Sequence, residues 1–179
     1  MTARTLVLGL GNVLLRDEGL GVWVAESLAR EFDFPPEVDT LEGGTLGLDL
    51  LPRLDDVERL LLVDAVKLGH EPGDIVRLEG DAVPVALDVK ISPHQVGVQD
   101  LLAAARLMGR EPPLVVLWGM EPERLDPGTG FSPRVSAALP QLRDGVLEEL
   151  RLWGVPGEPI ADAAPPPVWW EEPGVGRPR

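Results

Sequence analysis

The chain has 179 residues, of which 44% are hydrophobic, so it is long enough to bury one full core. The 30 acidic residues outnumber the 16 basic ones, and the formal net charge of -14 disfavours nucleic acid and anionic lipid as partners. Cysteine is absent, which excludes disulfide frameworks and thiolate metal sites and leaves His, Asp and Glu as the strong metal ligands. We therefore expect a single cytoplasmic domain.

The apolar opening of the chain, residues 5–15, has only a superficial likeness to a signal peptide. Gly9, Gly11 and Asn12 interrupt it, three charged residues follow at 16–18, and no small-x-small cleavage site appears. No apolar run approaches the roughly 20 residues that a membrane span requires. We interpret the opening as a strand and a loop, and we expect no membrane span.

Buried strands and helices alternate from the start of the chain. Segment 6–10 is continuously apolar and ends in a Gly-Leu-Gly-Asn turn, which predicts a central strand. Apolar residues at helical spacing predict a helix from residue 17 to about 32, with Asp17 as its N-cap. A second strand, 38–41, precedes a short helix at 46–51 that Thr45 would cap.

A third apolar strand, 60–63, ends at Asp64. The loop to the next strand, 74–78, is too short for a parallel crossover, so that strand should run antiparallel. A helix after Pro93 and a buried strand at 114–118 follow. The last helix has Ser132 and Pro133 as N-cap and first-turn residues. Its apolar stripe consists of Val135, Leu139, Leu142, Val146 and Leu150.

This order of elements predicts a three-layer α/β/α sandwich. Its mostly parallel, twisted sheet should have about five strands, with one antiparallel strand at the edge. We assign residues 1–154 to this domain and residues 155–179, which are rich in proline, to a flexible C-terminal tail. Trp169 and Trp170 in that tail are either a docking point or part of a disordered extension, and we favour the second interpretation.

Four residues are expected at the carboxyl edge of the sheet, where open α/β sheets bind ligands. Glu18 follows the first strand, Glu42 ends the second, Asp64 ends the third, and His94 immediately precedes a helix. The oxygen and nitrogen donors of Glu18, Asp64 and His94 suit zinc, nickel or manganese, with coordination positions left for water or substrate.

Each of these residues also has a purely structural interpretation. Glu18 would stabilise a helix N-terminus by roughly 0.3 to 1 kcal/mol, and His94 would simply begin a helix. Asp64 would bond the backbone of the next loop, although a carboxylate that ends an apolar strand is costly to bury without compensation. The other histidine, His70, lies in a predicted surface loop and is left out of the site.

A nucleotide site is disfavoured. The pattern that begins at Gly9 and Gly11 has Leu14 where G-x-G-x-x-G needs its third glycine, and Asp17 and Glu18 would repel a pyrophosphate. Neither a G-x-S-x-G elbow nor a Walker loop occurs in the sequence, so serine hydrolases and P-loop NTPases lack their motifs.

Segment 9–22, GLGNVLLRDEGLGV, resembles the opening signature of the nickel-iron hydrogenase maturation endopeptidases. Further segments of the chain resemble other elements of that family. They are Glu42-Gly43-Gly44-Thr45, Val63-Asp64-Ala65, Ser92-Pro93-His94-Gln95 with 100–102, 119–122 and 130–133. They occur in family order across about the first 150 residues, and the combination is far more specific than one glycine pattern.

The resemblance implies a peptidase, of aspartic or metal-dependent type, that removes the C-terminal extension of a nickel-iron hydrogenase large-subunit precursor after nickel insertion. It implies that Glu18, Asp64 and His94 occupy the family's metal-binding positions. Nickel would arrive with the substrate, so no permanent cofactor is expected, and the enzyme would be a monomer. These residues either recognise nickel only or also take part in hydrolysis. Glu42 is a possible substrate contact, although the family often has the shorter aspartate there.

Two alternatives to this protease remain. Peptidyl-tRNA hydrolase also opens with a strand and Gly-Leu-Gly-Asn, but it continues with Pro-Gly where Val13 stands here. It also has an early catalytic histidine, whereas the first histidine here is His70, and the charge of -14 opposes tRNA binding. A non-cleaving assembly factor that inspects nickel loading would have the same residues as the protease.

Overall fold

The computed structural model describes residues 3–87 and 93–163, without the side chains of residues 93–96. Two 3₁₀ helices, Arg16–Gly19 and Gly47–Leu54, accompany the strands and α-helices. These are, in chain order, β1 (Thr5–Leu10), α1 (Leu20–Glu31), β2 (Phe32–Asp33), β3 (Val38–Gly44), β4 (Arg59–Ala65), β5 (Ile75–Glu79), α2 (Ala82–Leu87), α3 (Pro93–Leu107), β6 (Leu114–Met120), α4 (Pro133–Leu152) and β7 (Glu158–Pro159).

The main sheet has five strands in the order β3-β1-β4-β6-β5. Strand β1 pairs in parallel with β3 and β4, and β4 pairs in parallel with β6. At the edge, β5 runs antiparallel to β6, because the connection that precedes it is too short for a crossover. The predicted sheet, including its single antiparallel edge strand, is confirmed.

Both faces of the sheet are covered, which confirms the three-layer sandwich. Along β1 the side chains alternate, with Leu6 and Leu8 in one core and Val7 in the other. The first core includes buried residues of α2, α3 and the 3₁₀ helix Gly47–Leu54. The second includes buried residues of α1 and α4. Because β1, β3, β4 and β6 run parallel, their carboxyl ends share one edge of the sheet.

Helix α4 matches its prediction, whereas the first helix begins later than its sequence pattern indicates. All five residues of the predicted α4 stripe are buried. The predicted helix from residue 17 is divided into the 3₁₀ helix Arg16–Gly19 and α1, whose N-cap is Gly19. The prediction that Asp17 caps this helix is wrong, because the Asp17 carboxylate binds backbone amides of a different loop.

Of two further cap predictions, one is wrong and the other is confirmed in position. The helix after β3 is of 3₁₀ type with Leu46 at its N-cap, so Thr45 does not cap it. Ser132 does occupy the N-cap position of α4, but its side chain makes no capping hydrogen bond. Helix α2 was not predicted, since its six residues are too few to show a helical period and include Pro84.

After α4 the chain returns across the end of α1. Val155 is buried, β7 pairs antiparallel with β2, and the N–H of Ile160 donates to the carbonyl of Glu31 at 2.8 Å. Residues 164–179, with Trp169 and Trp170, lie outside the described residues. The flexible tail and the boundary at residue 154 therefore stay predictions. Within the described ranges, every helix is too short or too polar to cross a membrane.

Candidate active site

The loop after β1 folds back tightly onto the strand ends, and glycines make this possible. Gly11 has a φ of 125°, and a Cβ there would collide with the backbone carbonyl of Glu18. At Gly21, a Cβ would collide with the carbonyl oxygens of Leu10 and Val63. The start of α1 is thus in direct backbone contact with β1 and β4, and this contact holds the acidic loop at the carboxyl edge.

Glu18 and Asp64 lie on two elements that contact each other at this edge. Glu18 belongs to the 3₁₀ helix Arg16–Gly19, which packs against β4, and Asp64 is the penultimate residue of β4. Both residues have 0% of their surface exposed. The Oδ1 atom of Asp64 accepts the N–H of Ala65 at 2.8 Å. Two fully buried acids are thus held close to the end of a central strand. Burying carboxylates costs free energy, so this arrangement indicates a functional role more than a structural one.

Asp64 lies on the side of the sheet that α3 covers. It follows Leu60 and Leu62 at intervals of two residues, so the three share one face of β4, and both leucines belong to that core. His94 is in the first turn of α3, although its side chain lies outside the described part of the chain. A Cβ on Gly97 would be 3.0 Å from the Cα of Gly47. This backbone contact places the beginning of α3 beside the loop that follows β3, at the same edge as Asp64.

The three-residue ligand set predicted from sequence stays a prediction. Among the side chains that the structure describes, no three His, Asp or Glu residues form a group suited to a metal ion. That finding does not bear on the predicted set, because the set includes His94.

Glu42 lies apart from Asp64. Its neighbour Leu41 packs on the core that includes α3, so alternation along β3 directs Glu42 to the side covered by α1. There it is exposed and meets Glu26 of α1. Desolvation raises the pKa of Glu42, and the charge of Glu26 and a hydrogen bond with it raise that pKa further. The structure therefore groups Glu42 with a second carboxyl group and not with Asp64.

Asp17 is fully buried, and its contacts were not predicted from the sequence. Its Oδ1 accepts the backbone N–H of Ser132 at 2.7 Å. Its Oδ2 accepts the N–H groups of Glu123 at 2.9 Å and Arg124 at 2.7 Å. One carboxylate thus attaches the loop after β6 to the loop after β1. No local signal predicts these bonds, because their donors lie more than 100 residues away along the chain.

A second buried carboxylate holds the loop after β4. Glu121 is 5% exposed, and its Oε2 accepts the N–H groups of Leu68 at 2.8 Å and His70 at 3.2 Å. The N–H of Glu121 itself donates to the carbonyl of Asp74 at 2.9 Å. His70 is exposed, as its loop position indicates. The loops around Glu18 and Asp64 are therefore connected to one another by carboxylate–amide bonds.

The same loops present apolar side chains to solvent. Four exposed leucines follow β1, β3 and β4, with exposed fractions of 63, 53, 51 and 36% for Leu14, Leu46, Leu48 and Leu68. These leucines all follow carboxyl ends of parallel strands, the edge at which open α/β sheets bind ligands.

Comparisons with known proteins agree with this arrangement. The family model described as HycI, hydrogenase maturation protease, matches residues 22–149. The hydrogenase 2 maturation protease of Escherichia coli (strain K12) is 40% identical over 163 residues, which cover 89% of this chain and 99% of the relative. The hydrogenase expression/formation protein HupD of Rhodobacter capsulatus is 43% identical over 154 residues, or 85% and 73% of the two chains.

Solved structures share this fold. The hydrogenase maturating endopeptidase HybD from E. coli superposes with a TM-score of 0.84 at 39% identity. The match covers 89% of this chain and 99% of that chain.

Proposed function

The chain belongs to the hydrogenase maturation protease family, and on that premise we propose that it removes the C-terminal extension of a nickel-iron hydrogenase large-subunit precursor. The observation that supports this most is the pair of fully buried acids, Glu18 and Asp64, on contacting elements at the carboxyl edge of the sheet. Ligands of open α/β sheets bind at this edge.

The nickel in this proposal belongs to the substrate. Glu18, Asp64 and His94 engage it once it has been inserted into the precursor, since carboxylate oxygen and imidazole nitrogen are suitable donors for nickel. Three protein ligands leave further coordination positions for the precursor's own groups. The enzyme then cleaves loaded precursor and spares empty precursor, and it needs no resident cofactor.

Hydrolysis adds water to the carbonyl carbon of the scissile peptide bond, breaks the C–N bond and transfers a proton to the leaving amine. Two routes are compatible with the residues present. In one, the substrate's nickel polarises the carbonyl or activates the water, which lowers the barrier by several kcal/mol. In the other, Glu18 or Asp64 accepts the proton of the attacking water as general base. The first corresponds to a metal-dependent peptidase and the second to an aspartic type.

The surroundings of the acids support a polypeptide substrate. The exposed leucines in the loops after β1, β3 and β4 offer apolar contacts to an extended peptide. As part of the same proposal, the enzyme is a cytoplasmic monomer that binds the precursor only for the duration of cleavage. The chain's lack of cysteine is consistent with that reducing compartment.

The test is a processing assay with the full chain and its cognate precursor, with and without nickel. We expect the precursor to lose its C-terminal extension only when it carries nickel, as measured by gel shift and intact mass. Nickel-dependent binding without shortening would support the non-cleaving assembly factor instead. Shortening that is equally fast without nickel would contradict the proposed role of the metal.

Two histidine variants form a matched pair within this assay. His94→Ala should abolish processing, because it removes the only predicted nitrogen ligand, while His70→Ala changes an exposed loop residue and should retain full activity. Circular dichroism of both variants verifies that they are folded. An active His94→Ala enzyme would remove His94 from the site.

A further inference from the structure

Asp17 joins the acidic loop to the loop that precedes α4. It is adjacent to Glu18, has 0% of its surface exposed, and receives three backbone N–H groups at 2.7 to 2.9 Å. The three donors belong to the loop 121–132, between β6 and α4. Short hydrogen bonds from neutral donors to a carboxylate are stronger than bonds between neutral groups.

Asp17 also lies at the N-terminus of a 20-residue helix. Ser132 is the N-cap residue of α4, and its N–H is one of the three donors. The positive end of the helix dipole favours a negative charge at this place. The Asp17 carboxylate accepts the N-cap N–H, the donor that an N3 Glu or Gln side chain binds in a capping box. The Ser132 side chain itself makes no capping hydrogen bond.

Further contacts tie the same two loops together nearer the surface. Arg16, with a φ of 51°, donates from Nε to Asp126 at 3.0 Å, and its backbone N–H donates to the carbonyl of Gly128 at 3.1 Å. The N–H of Asp17 donates to the carbonyl of Arg124 at 3.1 Å. Glu18 is therefore preceded by two residues whose backbone and side chains are held by the loop after β6.

We propose that Asp17 is a positioning residue, which fixes the acidic loop so that the Glu18 carboxylate is held in the orientation that cleavage requires. This inference rests on the proposed protease function. Asp17 would contact neither the precursor nor its nickel, and it would act only through Glu18. Active-site groups must be held within a fraction of an ångström by such surrounding contacts.

The principal variant is Asp17→Asn. It has nearly the same shape, but its NH₂ group must face at least one backbone N–H donor. We expect kcat for processing of nickel-loaded precursor to fall about 100-fold, the loss typical of a 1 Å displacement, with KM changed by less than about threefold. A purely structural residue would instead lower the folded fraction and leave the kcat of the folded enzyme unchanged.

Two matched controls separate positioning from stability. Glu149→Gln weakens a buried carboxylate network at the far end of α4, and Glu148→Gln removes the surface ion pair with Arg151. Both should keep kcat within about twofold of wild type when measured well below their melting temperatures. If Asp17→Asn does not fold, Asp17→Glu keeps the charge and both acceptor oxygens but displaces them by one methylene, and we expect the same loss of kcat.

A kcat within twofold of wild type for the folded Asp17 variant would overturn the positioning role, as would failure of both Asp17 variants to fold. Failure of the wild-type chain to cleave loaded precursor would instead overturn the proposed function, so the two failures are distinguishable.

Discussion

The two ends of α4 each hold a buried carboxylate with three hydrogen-bond donors, but the donors differ. Near the C-terminal end, Glu149 accepts Nε of Arg77 at 2.6 Å, Nη2 of Arg77 at 2.8 Å and Nε1 of Trp118 at 3.2 Å. At the N-terminal end, Asp17 accepts three backbone N–H groups and has no guanidinium among those partners. One carboxylate is neutralised by a side chain, whereas the other is held by backbone.

This difference has a physical consequence. A side-chain ion pair can be replaced without moving the backbone, so Glu149 contributes mainly to the stability of the packing between α4, β5 and β6. Backbone donors belong to the loop itself, so Asp17 determines where the loop after β6 lies relative to Glu18. Buried carboxylates in one protein therefore serve different purposes according to what donates to them.

The largest effect on stability is expected from Glu149→Ala. It leaves Arg77 without its buried partner and should lower the free energy of unfolding by about 3 kcal/mol. This value lies at the low end for a buried pair, because the Arg77 side chain is 38% exposed. Chemical denaturation measures the change. A double variant, Arg77→Met with Glu149→Leu, should recover most of the loss, and no recovery would show that the pair does more than neutralise charge.

A somewhat smaller loss is expected from Gly21→Ala at the acidic loop. The new Cβ would meet backbone carbonyls of Leu10 and Val63, which cannot rotate away, so we expect a loss of about 1 to 3 kcal/mol in thermal or chemical unfolding. Gly109→Ala is the control. Its φ of 67° strains any side chain, but nothing lies within 4 Å of the new Cβ, so its loss measures backbone strain without a collision. A Gly21→Ala variant as stable as wild type would mean that the loop is not tightly packed.

The contribution of Glu149 should depend on pH. The hydrogen bond from Arg77 holds the pKa of Glu149 below its ordinary value of 4.5 in the folded protein. As pH falls, Glu149 is therefore protonated in the unfolded state before it is protonated in the folded state. Its contribution to the free energy of unfolding is fully present above pH 4.5 and is lost as the pH falls through the lowered pKa. The difference in unfolding free energy between wild type and Glu149→Gln should accordingly narrow in acid. A difference that stays constant with pH would contradict this.

The smallest effect, of opposite sign, is expected at Glu42, where a carboxyl group faces another carboxyl group. Burial and Glu26 raise the pKa of Glu42, so its ionised form is less favourable in the folded protein than in the unfolded chain. Glu42→Gln should raise the melting temperature at pH 7, by the equivalent of less than about 1 kcal/mol, because the Glu42 side chain is exposed. The gain should disappear below the ordinary pKa of 4.5, and a destabilised variant would refute the repulsion.

Sequence reasoning succeeded where the signal is local. The stripe of α4, the apolar runs of β1 and β4, and the antiparallel direction of β5 depend on periodicity and connection length, and the structure confirms them. The burial of Glu18 and Asp64 at the carboxyl edge also agrees with their places after apolar strands. The prediction for Asp17 was wrong, because this residue does not cap the following helix but binds a distant loop.

The sequence by itself thus determined the layers, the direction of the strands and the family, because these depend on residues that are neighbours along the chain. Only the tertiary structure decided that Asp17 binds Ser132 and that Glu121 binds the loop of His70. It also decided that Glu42 faces Glu26, on the opposite side of the sheet from Asp64. Such contacts join residues from separate elements, and they form only once the sheet has brought the ends of its strands together.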